Sequence, residues 1–130
     1  MNLKINHIQH IGIPVTDIKK SEAFYDKLGF TNVMASTFEI EAEKGGIVAM
    51  MKRETMIIEL YQMPESKLSE IKSRKDGHVD HIAFDVDDIE TEVIRLKKEG
   101  FVLINEHPRP GADNKIVVFL HPKSTNGVLI

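Results

Sequence analysis

The sequence contains no cysteine. Disulfides, thiol nucleophiles and thiolate ligands are thereby excluded, so any metal site has to be built from His, Asp and Glu. No apolar run approaches the ~20 residues a membrane helix needs. The N-terminus lacks the charged-then-apolar pattern of a signal peptide. A cytoplasmic protein without a membrane partner is the expectation. No basic tract is long enough to follow a phosphate backbone, and 17 basic against 20 acidic residues leave a net charge of −3, so nucleic acid is not an expected partner. What is present is 130 residues of 42% hydrophobic content, enough to bury the core of one domain.

The chain writes nearly the same five residues twice, HIQHI at His7–Ile11 and HVDHI at His78–Ile82, 71 residues apart. At that offset His10-Ile11 falls on His81-Ile82, Val15 on Val86, Asp17-Ile18 on Asp88-Ile89, Lys27 on Lys98, and Gly29-Phe30 on Gly100-Phe101. These are eight identities in twenty-one ungapped positions. Chance would supply about one or two, so the repeat reads as an internal duplication.

Each copy follows one grammar. Alternating apolar residues (Ile11, Ile13, Val15; Ile82, Phe84, Val86) have the period of a strand with one covered face. An Asp placed to cap a helix follows, Asp17 in the first copy and Asp88 or Asp87 in the second. The helical stripe is Ile89, Val93 and Leu96 in copy two and, less regularly, Ile18, Tyr25 and Leu28 in copy one. Gly29 and Gly100 stand where a left-handed C-terminal cap would end each helix. Three extended segments come next: TNVMASTFEIE, GIVAMMK and TMIIELYQM, then VLINEH, KIVVFLH and GVLI. The predicted fold is therefore α+β, two tandem βαβββ modules forming one mixed, strongly curved sheet around a cavity. Module one spans about 5–63, a polar linker with room for a short helix 64–77, and module two about 78–130.

Strand alternation sorts the histidines. With Ile11, Ile13 and Val15 turned to the helices, His10 turns to the concave side, and His81 does so in the second copy. His7 and His78 fall on the opposite face, as exposed or partly exposed residues at strand starts. In TMIIELYQM, Met56, Ile58 and Leu60 would face the helices and Glu59 the same side as His10. A carboxylate inside an apolar strand is costly unless paired or metal-bound. Two imidazoles and a carboxylate suit one divalent transition metal with open positions, Co, Ni, Mn or Zn. The plainer alternatives are solitary, hydrogen-bonded histidines and an outward-facing Glu59 on an edge strand. The duplication also calls for a counterpart of Glu59 where MIIE aligns with VLI and the residue after it, a fourth ligand just past Ile130.

These residues carry a resemblance over essentially the whole chain. HIGIPVTDIKKSEAFYDKLGF, IIELYQ and VDHIAFDVDDIE resemble the vicinal oxygen chelate superfamily of glyoxalase I, methylmalonyl-CoA epimerases, extradiol dioxygenases and fosfomycin- and bleomycin-resistance proteins. That likeness implies paired βαβββ modules, a metal bound by His10, Glu59 and His81, and a homodimer. The stretch EHPRPGADNKIVVFLHPKSTNGVLI is similar to the ending of methylmalonyl-CoA epimerases, which continue past GVLI with a Glu that serves as ligand and base. EAEKGG resembles their segment supplying the second base, which implies Glu43. The chain departs from that pattern at Asp80, where the epimerases often have His, and at Glu59, where several use Gln; glyoxalase-like members share both departures.

The function so implied is divalent-metal-dependent proton transfer α to a carbonyl, as in an epimerase acting on a thioester such as methylmalonyl-CoA. Arg109, Lys115 and Lys123 are candidates to meet an anionic substrate, against the alternative of ordinary surface charge. The competing enzyme readings are a glyoxalase I-type lyase acting on a thiol hemithioacetal and, more distantly, dioxygen chemistry at Fe(II). A metal-free protein that binds a drug-like small molecule is the non-enzyme alternative.

Overall fold

The computed structural model describes residues 3–74, 76–112 and 115–130. Asp113 and Asn114 of the PRPGADNK stretch and Lys75 of the linker lie outside them. Chain order is β1 (Ile5–Pro14), α1 (Ile18–Lys27), β2 (Thr31–Ile40), β3 (Glu43–Arg53), β4 (Met56–Gln62), α2 (Glu65–Ser73), β5 (His81–Val86), α3 (Ile89–Lys98), β6 (Arg109–Pro110) and β7 (Ile116–Val117). The class is mixed α+β, with a five-stranded sheet of order β2-β3-β4-β1-β5. Two compact units divide the chain, one of residues 10–80 and one of residues 1–9 with 81–130.

In the unit of residues 10–80, β1 runs parallel to β4, with Gly12 opposite Glu59 and Pro14 opposite Tyr61. β4 is antiparallel to β3, and β3 to β2. Strand period 2 puts Ile13, Val15, Ala49, Met51 and Leu60 into one buried cluster with Ile18 and Phe30, against which Ile11, Tyr25, Ile47 and Ile58 pack. Burial of each large side chain contributes about 1.5–3 kcal/mol. α1 is capped by Asp17, whose carboxylate accepts from the Lys20 N–H, and its first turn also donates the Ile18 N–H to the Gln62 side chain at 2.9 Å. It ends at Gly29, φ +92°, the left-handed residue expected there. Within the stretch 64–77, Glu65–Ser73 form a helix, α2.

Two expected core residues lie outside it. Met56 is exposed because it pairs with Arg53 at the tip of the β3–β4 hairpin, and Leu28 is exposed at the end of α1.

In the other unit, Asp88 rather than Asp87 caps α3, accepting from the Glu90 and Thr91 N–H groups, and Val93 and Leu96 of its stripe are buried. Gly100 ends the helix at φ +85°. The three following strands are much shorter than the sequence suggests. VLINEH is reduced to a bridge of Leu103 with Leu120, GVLI to a parallel bridge of Leu129 with His81, and β6 and β7 have two residues each. The ladder is interrupted where Pro108 and Pro110 have no N–H to give and where the Asn105 side chain takes the Phe119 N–H at 2.9 Å. What pairing remains is a parallel bridge of His81 with Leu129, the Leu120 N–H on the Ile130 carbonyl and an antiparallel bridge of Leu120 with Leu103. Phe84 of β5 is exposed rather than covered.

Candidate metal centre

β1 and β4 bring two of the sequence-derived residues together. His10 Nε2 lies 3.6 Å from Glu59 Oε2, and each side chain is 12% exposed. The register explains the meeting: Gly12, two residues after His10 and so on its face, is the direct partner of Glu59. Glu59 is therefore not an outward-facing edge carboxylate. Met50 and Val48 sit opposite Glu59 and Tyr61 on the other flank of β4, so buried apolar residues border the pair.

His81 opens β5 in the other unit and is 7% exposed. Its ring meets that of Phe119 edge to face at 5.8 Å, and Phe119 in turn lies under the Arg109 guanidinium, 5.8 Å from the ring centroid. His10, Glu59 and His81 could hold a metal ion. Their chemistry fits one: two imidazoles and one carboxylate, shielded from bulk water, are the mixed N and O donors that divalent transition metals accept. His7 is exposed and His78 half-buried, as expected of residues outside such a set.

Glu43 begins β3, and its carboxylate accepts from both the backbone N–H and the hydroxyl of Ser66. Ser66 is in the first turn of α2, whose N-cap residue, Pro64, offers no side-chain acceptor, so Glu43 caps that helix from a distance. The Ser66 hydroxyl, then its N–H, hold the Glu43 carboxyl below the ordinary 4.5. Arg109, Lys115 and Lys123 are all exposed in the unit that contains His81. Arg109 belongs to β6, Lys115 precedes β7, and Lys123 sits in a short 3-10 turn where its N–H donates to His121 Nδ1 at 3.1 Å.

The sequence reading missed a network beside the centre. Tyr61, on the same face of β4 as Glu59, donates its hydroxyl to Asp80 Oδ2 at 2.8 Å. Arg74 lies 3.5 Å and His78 4.0 Å from Asp80 Oδ1. Burial, with the Asp80 contact second, pushes the Tyr61 hydroxyl far above its ordinary value of 10.0, so it remains a donor. The signal was available: Tyr61 is two residues from Glu59, and Asp80 stands inside the HVDHI echo.

Residues 9–119 match the glyoxalase/bleomycin resistance protein/dioxygenase superfamily. The chain belongs to this superfamily. Within it, the chain is 33% identical over 130 residues to the mitochondrial methylmalonyl-CoA epimerase of Dictyostelium discoideum, covering 97% of this chain and 76% of that one. It is also 33% identical to an ethylmalonyl-CoA/methylmalonyl-CoA epimerase of Cereibacter sphaeroides, over 97% and 96% of the two chains. A solved methylmalonyl-CoA epimerase in complex with methylmalonyl-CoA and ammonium superposes with a TM-score of 0.81 at 27% identity, over 97% of this chain and 92% of that one. Among the described residues no helix is long and apolar enough to cross a membrane.

Proposed function

We propose that this member of the superfamily is an epimerase of methylmalonyl-CoA or a closely related acyl-CoA, working at one divalent metal ion held by His10, Glu59 and His81. The likeness to epimerases along nearly the whole chain supports the reaction. The observation that carries the centre is the shielded His10–Glu59 pair, a donor pair that the family's fold and β1–β4 register together produce. The tandem modules read from the repeat belong to the same proposal, as does a cytoplasmic homodimer.

The α-carbon of such a substrate lies between a thioester carbonyl and a carboxylate, so its proton is removable once the resulting enolate is stabilised. When bound, the ion would supply Lewis acidity to the substrate oxygens. Glu43 is the base we assign. Its bonds from Ser66 keep it ionised at neutral pH but lower its basicity, so loosening them would strengthen Glu43 as acceptor of the α-proton. A water molecule delivering a proton to the opposite face inverts the carbon, and Glu43 passes the proton it took to the hydroxide so formed. Arg109, Lys115 and Lys123 would meet the carboxylate and phosphates of the acyl-CoA, and the apolar border of Val48 and Met50 would limit water at the reacting carbon.

The test is exchange of the α-proton of methylmalonyl-CoA in deuterated water, followed by mass spectrometry, with Co(II)-loaded protein. Exchange that disappears in His10→Ala is expected. Full metal occupancy without exchange would sink the epimerase reading, and conversion of methylglyoxal plus a thiol to a lactoyl thioester would then identify a glyoxalase-type enzyme.

A further inference from the structure

Residue 80 is held from several directions. Its N–H donates to the Gly12 carbonyl at 2.8 Å, while its carboxylate takes the Tyr61 hydroxyl at 2.8 Å and stands 3.5 Å from the Arg74 guanidinium. Two of these anchors, Gly12 and Tyr61, are tied to residues of the proposed centre. Gly12 is on the His10 face of β1 and is the register partner of Glu59. Tyr61 follows Glu59 by two residues on the same face of β4, and Asp80 is joined by its own peptide bond to His81.

We propose that Asp80 is a positioning residue for His81, keyed to the β1–β4 ladder by Tyr61 and steadied by Arg74. This inference rests on the metal reading above. A half-buried carboxylate, 16% exposed and shared between a neutral phenol and a guanidinium, has little freedom to move. A residue so fixed restricts the backbone of its neighbour, so the His81 side chain starts from a narrow set of positions. A ligand held in place before the metal arrives loses less entropy on binding, which appears as affinity. Tyr61 suits the task because its ring is anchored in β4 and its hydroxyl reaches Asp80 Oδ2 at 2.8 Å.

Co(II) binding decides the matter, by titration calorimetry and by the visible ligand-field spectrum, for the wild type, Tyr61→Phe, Asp80→Ala and His10→Ala. Tyr61→Phe removes one hydroxyl and keeps the ring, which makes it the variant least able to unfold the protein. We expect it to weaken Co(II) binding about tenfold and Asp80→Ala by about ten- to a hundredfold, both with altered band positions and one ion still bound at saturation. Wild-type affinity and spectrum in both variants overturn the inference, even if their melting temperatures fall, because a purely structural role lowers stability alone. In that case His10→Ala still abolishes binding and the metal reading stands. If the wild type binds no Co(II), the metal reading and this inference fall together.

Discussion

The Glu43 carboxylate caps α2 across 23 residues of sequence, accepting both hydrogens that Ser66 offers. The same side chain is the base of the proposed reaction, so one carboxylate has two employments that oppose each other. Bonds that satisfy a helix terminus stabilise the ionised form, and a base stabilised as its anion is a weaker proton acceptor.

Ser66→Ala separates the two. The Glu43 carboxyl should titrate closer to its ordinary 4.5 in this variant, as followed by carbon-13 NMR. The folded value in the wild type is depressed, so the capping contribution to stability is complete above 4.5 and is lost as pH falls through the lower folded value. Melting curves of the wild type and Ser66→Ala should therefore differ at neutral pH and converge in acid. Glu43→Gln should slow α-proton exchange at least ~100-fold, within the range for loss of a general base. A loss under about threefold would leave Glu43 with the helix alone.

Glu41 and Ala42 form the two-residue β2–β3 turn, with φ of +50° and +66° and with Ile40 paired to Glu43 on either side. Two positive φ values in a two-residue hairpin match the turn that favours Asn-Gly. Neither present residue suits it, and a side chain there costs on the order of 1 kcal/mol. The double substitution E41N with A42G should raise stability by about 1 kcal/mol in urea unfolding, with the slope unchanged. A lower midpoint would show that the turn is shaped by something other than its own backbone.

Leu60 is fully enclosed in the core, whereas Met56, four residues earlier on β4, is 51% exposed. Leu60→Ala leaves a cavity beneath α1 and should cost about 2–5 kcal/mol. Met56→Ala should cost under about 0.5 kcal/mol. Equal losses in denaturant unfolding would contradict the assigned faces of the strand.

That contrast also marks where the sequence was readable. Alternation separated Leu60 from Glu59 because one face of β4 is covered and the other carries the polar pair, and it failed at Met56 because the hairpin tip extends past the cover of α1. The caps Asp17 and Asp88 and the stops Gly29 and Gly100 were legible because a cap involves only residues within one turn. The short strands after α3 were not, since their interruption depends on Asn105 reaching the Phe119 N–H, a contact between distant residues. His10 and Glu59 could be matched because the repeat and the strand period each pointed to one face. The Glu43–Ser66 contact leaves no periodic trace and required the folded chain, whereas the positions of Tyr61 and Asp80 were legible beside Glu59 and His81 but their pairing was not.

Glu59 differs from its histidine partners in carrying the charge of the proposed centre. Replacement by Gln keeps a carbonyl oxygen at the same reach but makes it a neutral ligand, whereas Ala removes the donor and leaves His10 facing a gap. Glu59→Gln should accordingly retain one Co(II) per chain with affinity reduced about tenfold, and Glu59→Ala should lose about a hundredfold or more, since an anionic oxygen donor offsets part of the ion's charge in a shielded site. Elemental analysis after dialysis, with calorimetry for the affinities, reads both outcomes. Wild-type metal content and affinity in Glu59→Ala would remove Glu59 from the centre and leave its closeness to His10 as a polar contact at 3.6 Å within the sheet.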